Sequence, residues 1–341
     1  MIRIAIDAMG GDNGPEVMLR GAVDSLPLVP NTKLFLFGPE ERLRQILSGC
    51  HYDRDRIELV DAPEVVSLHE SPVMAVRRKK DSSIVKGMRF VKDGNADAIL
   101  SSGSTGAILA GGQLIVGRLR GIQRPPLGAL IPTRKGLSLL VDCGANVDAK
   151  PEWLVQFAEM GSIYVRNMLG IARPTIGLVN IGAEEEKGNA LVKETMQLLK
   201  KQERLNFIGS VEARDIVEGN CDVIVADAFV GNVVLKMYEG VAKMLLTEIS
   251  GALRHSGLPT LLGAALIKGS LKRTLQRFDA KAAGGAPILG LNGLVVKVHG
   301  NTDGTEVTAA VRQAADFVRS GIVQKISENL ATEEKEAENE E

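Results

Sequence analysis

The chain has 341 residues, of which 45% are hydrophobic, 4% aromatic and 24% charged, with 37 glycines and a formal net charge of −1. This length suffices for two domains or one large α/β unit with a full hydrophobic core. The near-zero charge argues against a general nucleic-acid binder, which is normally strongly basic. The composition therefore predicts a globular protein, and the abundant glycines point to its loops as the place for chemistry.

The three cysteines, Cys50, Cys143 and Cys221, are far apart in the sequence. They form no CxxC pair and no Cys/His group with zinc spacing, so we expect no metal site and no cofactor. The first residues, Met1 to Asp7, have the pattern of a strand and lack that of a signal peptide. These features predict a protein of the reducing cytoplasm.

Short apolar runs alternate with longer helical patterns along the chain. A helix is expected to begin near Pro15, and two more are predicted over Glu152–Met168 and Asn189–Lys200. The apolar runs are predicted strands: Arg3–Asp7, Lys33–Phe37, Ile57–Val60, Ala98–Leu100, Leu137–Val141, Thr175–Val179, Asn206–Ile208, Val223–Ala226 and Val295–Val298. Such alternation predicts an α/β fold with a doubly wound, mostly parallel sheet.

Three segments depart from this pattern. The uncharged stretch 98–117 contains glycines, serines and a threonine, so we predict a strand, a polar loop and a buried helix rather than a membrane span. Residues from about 233 to 276 lack strand signals and are predicted as a protruding helical excursion. The acidic tail 333–341 is predicted to be disordered. We expect one α/β unit over residues 1–332, and a division into two lobes stays open.

Five loops of small and polar residues follow predicted strands and precede predicted helices. They cover residues 6–13, 101–107, 142–146, 180–189 and 227–232. Such loops gather at the carboxyl edge of a parallel sheet, where glycines and helix N-termini bind anions. Phosphate is therefore the predicted ligand. The alternative is that these residues only form turns, with Asp7, Asp142 and Asp227 as helix caps.

Two common nucleotide signatures are missing from these loops. The first strand is not followed by GxGxxG, and GxxxxGK[ST] does not occur in the chain. This disfavours a classical dinucleotide fold and a Walker-type NTPase.

Several longer motifs resemble one bacterial family. They are DAMGGD at 7–12, RRKK at 77–80, DCGANVDAKPE at 142–152, NIGAEEEKGN at 180–189, FVGNVVLK at 229–236, GGAPILGL at 284–291 and VHG at 298–300. The chain is similar from Arg3 to about Val323 to the bacterial phosphate acyltransferases, which make acyl-phosphate from acyl-(acyl carrier protein) and inorganic phosphate.

The resemblance implies the first committed step of phospholipid synthesis. It also implies a homodimer, peripheral contact with an anionic membrane and with the downstream membrane glycerol-3-phosphate acyltransferase, and a fold similar to phosphate acetyltransferases and isocitrate-type dehydrogenases. Two positions depart from the family pattern: Ser104 stands where an Asn is usual, and Ala282-Ala283 where a tyrosine tends to occur. Both changes affect a side-chain contact rather than the backbone.

Thioester phosphorolysis needs the phosphate positioned and the developing charge stabilised. We hypothesise that Lys187 neutralises charge, that His299 gives a proton to the leaving thiolate, and that Asp227 and Asn232 complete the catalytic set. The residues expected to bind phosphate or the acyl group are Asp7, Gly10, Gly11, Gly103, Ser104, Thr105, Gly106, Asp142, Asn146, Asn180, Gly182 and Gly231.

Each of these candidates has a simpler alternative. Lys187 lies beside Glu184–Glu186 and is equally well explained as a solvated helix-start lysine. A structural histidine is at least as good an interpretation of His299, and His51, His69 and His255 lie in no motif. Cys143 has no activating partner in sequence and is predicted to be a small buried residue rather than an acyl nucleophile.

Two surface segments are predicted to meet larger partners. The basic run Arg77, Arg78, Lys79 and Lys80 is either a solvated helix face or a docking site for the acidic acyl carrier protein. The apolar stretch 257–267, flanked by basic residues, is either a packed helix of a dimer interface or a tip that dips into the membrane. The tip residues would be Leu258, Leu261, Leu262, Leu266 and Ile267.

Three other functions remain to be separated from this one. Acyl transfer between phosphate and coenzyme A predicts competition by coenzyme A. A dehydrogenase rests on fold analogy alone. A carrier-protein docking scaffold at the membrane would make five polar loops unnecessary.

Overall fold

The computed structural model describes residues 1–67, 69–254, 269 and 284–330. The strands are β1 (Ile2–Asp7), β2 (Thr32–Gly38), β3 (Ile57–Asp61), β4 (Ala98–Ser101), β5 (Gly128–Thr133), β6 (Gly136–Val141), β7 (Thr175–Asn180), β8 (Asn206–Glu212), β9 (Val223–Val225), β10 (Ala286–Ile288) and β11 (Leu294–Lys297). Within the described ranges, no helix is long and apolar enough to cross a membrane.

Helices connect most of the successive strands. They are α1 (Gly14–Ser25), α2 (Glu40–Leu47), α3 (Pro72–Arg78), α4 (Ser83–Lys92), α5 (Thr105–Gly111), α6 (Pro151–Met168), α7 (Ala190–Lys200), α8 (Ala228–Arg254), α9 (Gly304–Ser320) and α10, residues 322–330. Helix α5 continues into a π-helical turn at Gly112–Val116.

The strands form two sheets rather than the single one that strand–helix alternation suggests. The first has the order β10-β11-β4-β1-β2-β3 and the second the order β5-β6-β9-β7-β8. All neighbours are parallel except the edge pairs β10–β11 and β5–β6. The prediction of a mostly parallel α/β fold is therefore confirmed, with antiparallel strands added at one edge of each sheet.

Alternation along the strands divides the hydrophobic core into two clusters. In the first sheet, Ile4, Ile6 and Leu100 pack with α1, α6 and α9, whereas Ala5 and Ile99 face α4 and α5. Successive side chains on a strand point to opposite faces, so both faces of this sheet are covered by helices. The second cluster also includes Leu140 and Ile224 of the second sheet.

All nine predicted strands are present, with ends that shift by a few residues. Strands β5 and β10 were missed because each contains a proline, Pro132 and Pro287, which interrupts a strand pattern. Proline lacks the amide N–H that a central strand must donate, and both strands lie at sheet edges where this is tolerated.

The predicted helices are also found. Pro15 lies in the first turn of α1, and Asn189 caps α7 by accepting a hydrogen bond from the Val192 amide at 2.9 Å. Stretch 98–117 is a strand, a loop and a buried helix, as expected. Helix α8 begins before residue 233, and the rest of the predicted excursion lies largely outside the described residues, as do the membrane-tip residues, Ala282-Ala283 and the acidic tail.

Candidate active site

The first group of loops lies at the carboxyl ends of three adjacent strands, β11, β4 and β1. The loop after β1 is held against the loop after β11, because the Asp12 amide donates to the Gly300 carbonyl at 2.8 Å. The Asn13 side-chain amide donates to Asn301 Oδ1 at 3.0 Å and to the Thr302 carbonyl at 2.7 Å. Segments almost 290 residues apart in sequence are thus joined at one edge of the sheet.

Asp7 forms the floor of this group. Its carboxylate accepts hydrogen bonds from Ser83 Oγ and Ser101 Oγ, both at 2.6 Å, and from the Met9 amide at 3.2 Å. Burial raises the pKa of Asp7, and the hydrogen bonds oppose this shift. Ser83 begins α4. It was not among the predicted site residues, because no sequence motif connects it to the loops.

Glycines let these loops approach one another closely. A Cβ atom on Gly10 would lie 2.6 Å from the Gly103 amide nitrogen, and one on Gly11 would lie 2.6 Å from Ser102 Oγ. Gly11 also has a φ of +85°, which favours glycine. The DAMGGD segment (residues 7–12) and the SSGSTGA segment (residues 101–107) are therefore in contact, and only glycine fits at the closest approach.

A small cleft opens beside these glycines. It is lined by Asp7, Met9, Gly10, Val65, Val66, Ser83, Ile84, Gly103, Ser104 and Ala107. Ser104 directly precedes α5 and Thr105 begins it, both half-buried, while Gly106 packs against Pro72. Gly103 and Ser104 thus line the cleft, and Thr105 follows them at the start of α5.

The second group of loops follows β6, β9 and β7 of the other sheet. The Asp142 carboxylate accepts from the amides of Leu127, Gly144, Ala145 and Asn146 and from the Asn146 side chain, at 2.8 to 3.1 Å. Burial raises the pKa of Asp142 although these bonds oppose the shift. Asp142 is fully buried with its oxygens engaged, so it shapes the loop, and its contact with substrate stays a prediction.

Asn146 and Asn180 are held in a similar way. Asn146 Nδ2 donates to the Pro125 carbonyl at 3.1 Å as well as to Asp142. Asn180 Nδ2 donates to the Lys187 carbonyl at 3.2 Å and to Ser210 Oγ at 3.0 Å, and its Oδ1 accepts from the Ile181 amide. Both side chains are buried and organise their loops, and their role in orienting the substrate stays a prediction.

Asp227, Gly231 and Asn232 belong to the start of α8. Asp227 Oδ1 accepts from the amides of Phe229 and Val230 at 2.9 and 3.0 Å, so it caps the helix as the simpler alternative predicted. A Cβ atom on Gly231 would lie 1.9 Å from the Asp142 carbonyl oxygen, which shows how closely the first turn lies on the Asp142 loop. Asn232 is exposed, with its Nδ2 directed toward Gly144.

Lys187 lies in the loop after β7. Its ammonium is 2.8 Å from Glu184 Oε2, and its side chain is 49% exposed. The hydrogen bond to Glu184 raises the pKa of Lys187, so this lysine stays charged near neutral pH. It packs over Gly182, where a Cβ atom would lie 2.4 Å from the lysine Cδ. The ion pair with Glu184 agrees with the alternative of a solvated lysine beside acidic residues. The ammonium is nevertheless still accessible to solvent.

His299 connects the two groups of loops. Its Nε2 lies 3.4 Å from Lys236 Nζ and 3.8 Å from Glu239 Oε2, both on α8. Burial acts to raise the pKa of Glu239, but the hydrogen bonds from His299 and Lys236 outweigh it and the net shift is downward. Lys236 and Glu239 were not among the predicted site residues, although Lys236 ends the FVGNVVLK motif.

Cys143 does not have the surroundings of a nucleophile. It is buried, and its Sγ donates to the Leu127 carbonyl at 3.2 Å. Burial and the neighbouring Asp142 carboxylate raise the pKa of this thiol well above its ordinary value. The prediction of a small buried residue is confirmed.

The basic run 77–80 is divided by the structure. Arg77, Arg78 and Lys80 are exposed at and after the end of α3. Lys79 is engaged instead, since its ammonium lies 2.6 Å from Glu70 Oε1 and donates to the Val65 carbonyl at 2.7 Å. Three of the four cations are therefore exposed, whereas Lys79 is engaged within the protein, and carrier-protein docking by this run stays a prediction.

Known proteins resemble this chain over nearly its whole length. A family model described as "fatty acid synthesis protein" matches residues 2–325. A phosphate acyltransferase from Clostridium botulinum is 48% identical over 329 residues, covering 96% of this chain and 99% of that protein. These matches span both groups of loops.

Solved structures share the fold at low identity. A phosphotransacetylase from Streptococcus pyogenes aligns over 93% of this chain and 94% of its own, with a TM-score of 0.62 and 16% identity. A branched-chain phosphotransacylase from Enterococcus faecalis aligns over 93% of this chain and 99% of its own, with a TM-score of 0.58 and 15% identity. The two-sheet architecture is thus that of a known fold.

Proposed function

Since the chain belongs to the fatty acid synthesis protein family, with close relatives named phosphate acyltransferases, we propose that it transfers an acyl group from a thioester to inorganic phosphate. The proposed donor is a long-chain acyl-(acyl carrier protein), and the product is an acyl-phosphate for phospholipid synthesis. The observation that supports this most strongly is the 48% identity to a phosphate acyltransferase over nearly the full length of both chains.

The reaction is a thioester phosphorolysis. A phosphate oxygen attacks the carbonyl carbon, the C–S bond breaks, and the proton of hydrogen phosphate ends on the leaving thiolate. Because a thiol has a pKa of about 8.5, the leaving group needs little acid assistance. Positioning of phosphate and stabilisation of the oxyanion then provide most of the rate.

The glycine contact between the first two loops supports a phosphate site there. Gly10, Gly11 and Gly103 bring two backbones together with no side chain between them. Ser104 and Thr105 add hydroxyl donors at the rim, where both residues are half-buried. Ser104 replaces the family's usual Asn and still supplies one donor, so phosphate binding through this loop is retained.

The catalytic roles are assigned by accessibility. Lys187 neutralises charge on the reacting phosphate or oxyanion after exchanging its bond with Glu184 for one with substrate. Asn232 is exposed and supplies an amide to the carbonyl oxygen. His299 takes the proton of hydrogen phosphate and passes it to the leaving sulfur, with Lys236 and Glu239 setting its position. Asp227 contributes by holding the first turn of α8 in place.

The deciding experiment measures phosphate-dependent release of free thiol from long-chain acyl-(acyl carrier protein), with acyl-CoA in parallel. We expect release from the carrier protein and little from acyl-CoA. Equal or faster use of acyl-CoA would assign the alternative donor. No release from either thioester would remove the proposed activity.

Lys187→Ala tests the catalytic assignment. We expect kcat to fall by about 10²-fold or more, because a charge that stabilises the transition state is lost. The matched control is Lys193→Ala, an exposed lysine on α7 outside the loops, which should retain full turnover. Unchanged turnover of Lys187→Ala would remove this residue from the mechanism.

Carrier-protein docking is proposed for the exposed cations Arg77, Arg78 and Lys80. Opposite charges accelerate encounter, and salt screens them, so kcat/KM for the acyl carrier protein should fall steeply with ionic strength. An unchanged kcat/KM in an Arg77→Ala/Arg78→Ala double variant at low salt would contradict this role.

Membrane contact through residues 257–267 is part of the same proposal. The basic residues around this stretch fit the headgroups of anionic lipids, and contact would place the product near the membrane glycerol-3-phosphate acyltransferase that follows. The protein would then be cytoplasmic and peripherally bound. Vesicle co-sedimentation that is unaffected by Leu261→Glu and Leu262→Glu would count against it.

A further inference from the structure

One lysine at the candidate site has no role in the mechanism above. Lys297 is the last residue of β11 and pairs in register with Ser101 of β4, which pairs in turn with Asp7 of β1. Paired residues of parallel strands point to the same face, so the three side chains form one row at the carboxyl ends of adjacent strands. Ser101 and Asp7 already underlie the glycine loops, and Lys297 extends this row by one strand.

The ammonium of Lys297 is held near the start of the second loop. It donates to the Val298 carbonyl at 2.6 Å, and the Val298 amide donates to the Ser101 carbonyl at 2.8 Å. The SSGSTGA segment leaves β4 at Ser101. An ammonium has three N–H donors, and the bond to Val298 uses one of them.

Charged groups surround Lys297 on two helices and on the loop after β1. They are Lys236 and Glu239 on α8, Glu306 in the first turn of α9, and Asp12 in the loop after β1, with His299 on its own segment. Glu306 Oε1 also accepts from the His299 amide at 3.3 Å, which ties α9 to this end of β11. Lys297 therefore lies where both groups of loops and two helices meet.

We propose that the Lys297 ammonium binds the phosphate substrate beside the Gly103–Gly106 loop. The inference rests on the proposed phosphorolysis and names one further substrate-binding residue for it. Two lysines oppose the three carboxylates of Asp12, Glu239 and Glu306 while Lys297 is charged. When Lys297 is neutral, one lysine remains, and this group of charges repels an anion more strongly.

Lys297 is expected to lose its proton within a pH range that enzyme assays can reach. Burial lowers the pKa of Lys297 to about 8, with a further lowering from Lys236 that the carboxylates oppose. Below this pH the lysine is charged, and above it the neutral amine prevails. Affinity for phosphate is accordingly expected to be highest on the acid side and to decline as the pH rises through about 8.

The test is the KM for phosphate between about pH 6.5 and 9.5, measured with acyl-(acyl carrier protein) as donor. For the native enzyme we expect KM to rise on the alkaline side. Lys297→Arg should remove this rise, because a guanidinium stays charged throughout the range. Lys297→Met should raise KM about tenfold at pH 7 and leave it nearly independent of pH, with a smaller change in kcat.

Matched controls are available on the same sheet. Lys33 of β2 is a strand lysine paired with Glu58 at 2.7 Å, and Lys33→Arg and Lys33→Met should keep the native KM profile. An alkaline rise that persists in Lys297→Arg, or a native KM in Lys297→Met, would overturn the proposal. A fall in kcat alone would also overturn it, whereas phosphate-independent behaviour of the native enzyme would instead reject the proposed reaction.

Discussion

Polar residues at the strand ends fall into two kinds at the residue scale. Asp142, Asn146 and Asn180 are buried with their polar atoms engaged by the protein, and they hold loops in shape. Lys187 and Asn232 are exposed to solvent in the second group of loops. A sequence motif contains both kinds, and only burial separates them.

Cys143 provides a test at this scale. Because burial raises the pKa of its thiol, thiolate is scarce near neutral pH, and an acyl-enzyme on this sulfur is not expected. Cys143→Ala should keep native turnover while losing about 1 kcal/mol of unfolding free energy from the small cavity. Steady-state assays and urea unfolding measure the two effects, and a variant that folds normally but is inactive would reassign this cysteine as a nucleophile.

Glycines decide how the elements meet one another. Gly10 and Gly103 bring two loops of the first sheet into contact, and Gly231 lets the first turn of α8 lie on the Asp142 carbonyl. Helix α8 starts at the end of β9 in the second sheet and provides Lys236 and Glu239 next to His299 of the first. One helix thus links the two loop groups, and its starting position is set by a contact that excludes any side chain.

Substitutions in α8 test this element. Gly231→Ala should lower the free energy of unfolding by more than about 2 kcal/mol, since its Cβ would lie 1.9 Å from a backbone oxygen that cannot move away without displacing the loop. Gly240→Ala in the same helix is the control, because nothing lies within 4 Å of the added atom. It should stabilise by about 0.5–1 kcal/mol through helix propensity.

Urea unfolding of both variants provides the measurement. The expected result is opposite signs for the two glycines. Equal effects would show that α8 tolerates a shift of its first turn, and that the Asp142 loop does not determine its position.

At the scale of the whole molecule, α8 carries an exposed apolar stripe. Its large exposed side chains recur mainly at three- and four-residue intervals: Phe229, Val233, Met237, Val241, Met244, Leu245, Leu246 and Ile249. Exposed apolar surface of this extent is typical of an interaction site. We propose that a second copy of the chain covers it, in keeping with the homodimer that the family resemblance implies.

Charge substitutions on the stripe test this assembly. Met237→Glu and Met244→Glu together should convert a dimer into a monomer, because a carboxylate buried in an apolar interface is strongly unfavourable. Ser250→Glu, exposed on the same helix but outside the stripe, should leave the dimer intact. Sedimentation velocity separates the states, and a native enzyme that is monomeric at micromolar concentration would contradict the proposal.

Local patterns in the sequence were sufficient to predict the fold class and most of its elements. Nine strands, the helices Pro151–Met168 and Ala190–Lys200, and the small-residue loops between them follow from periodicity and from glycine and proline positions, which act within a few residues. Strands β5 and β10 were missed because a proline at an edge strand is permitted by a neighbour that the local sequence does not reveal.

Tertiary structure decided the division into two sheets and the set of residues that meet at the candidate site. Asp142 was expected to contact substrate and is buried, while Lys236, Glu239 and Lys297 lie around His299 without a motif that connects them. Which polar atoms are already engaged, and which charges converge, depends on segments up to almost 290 residues apart. The sequence by itself determined the elements and the chemical character of their loops, since those depend on local interactions. Desolvation and long-range contacts, which exist only in the folded chain, decided which of those residues face a ligand.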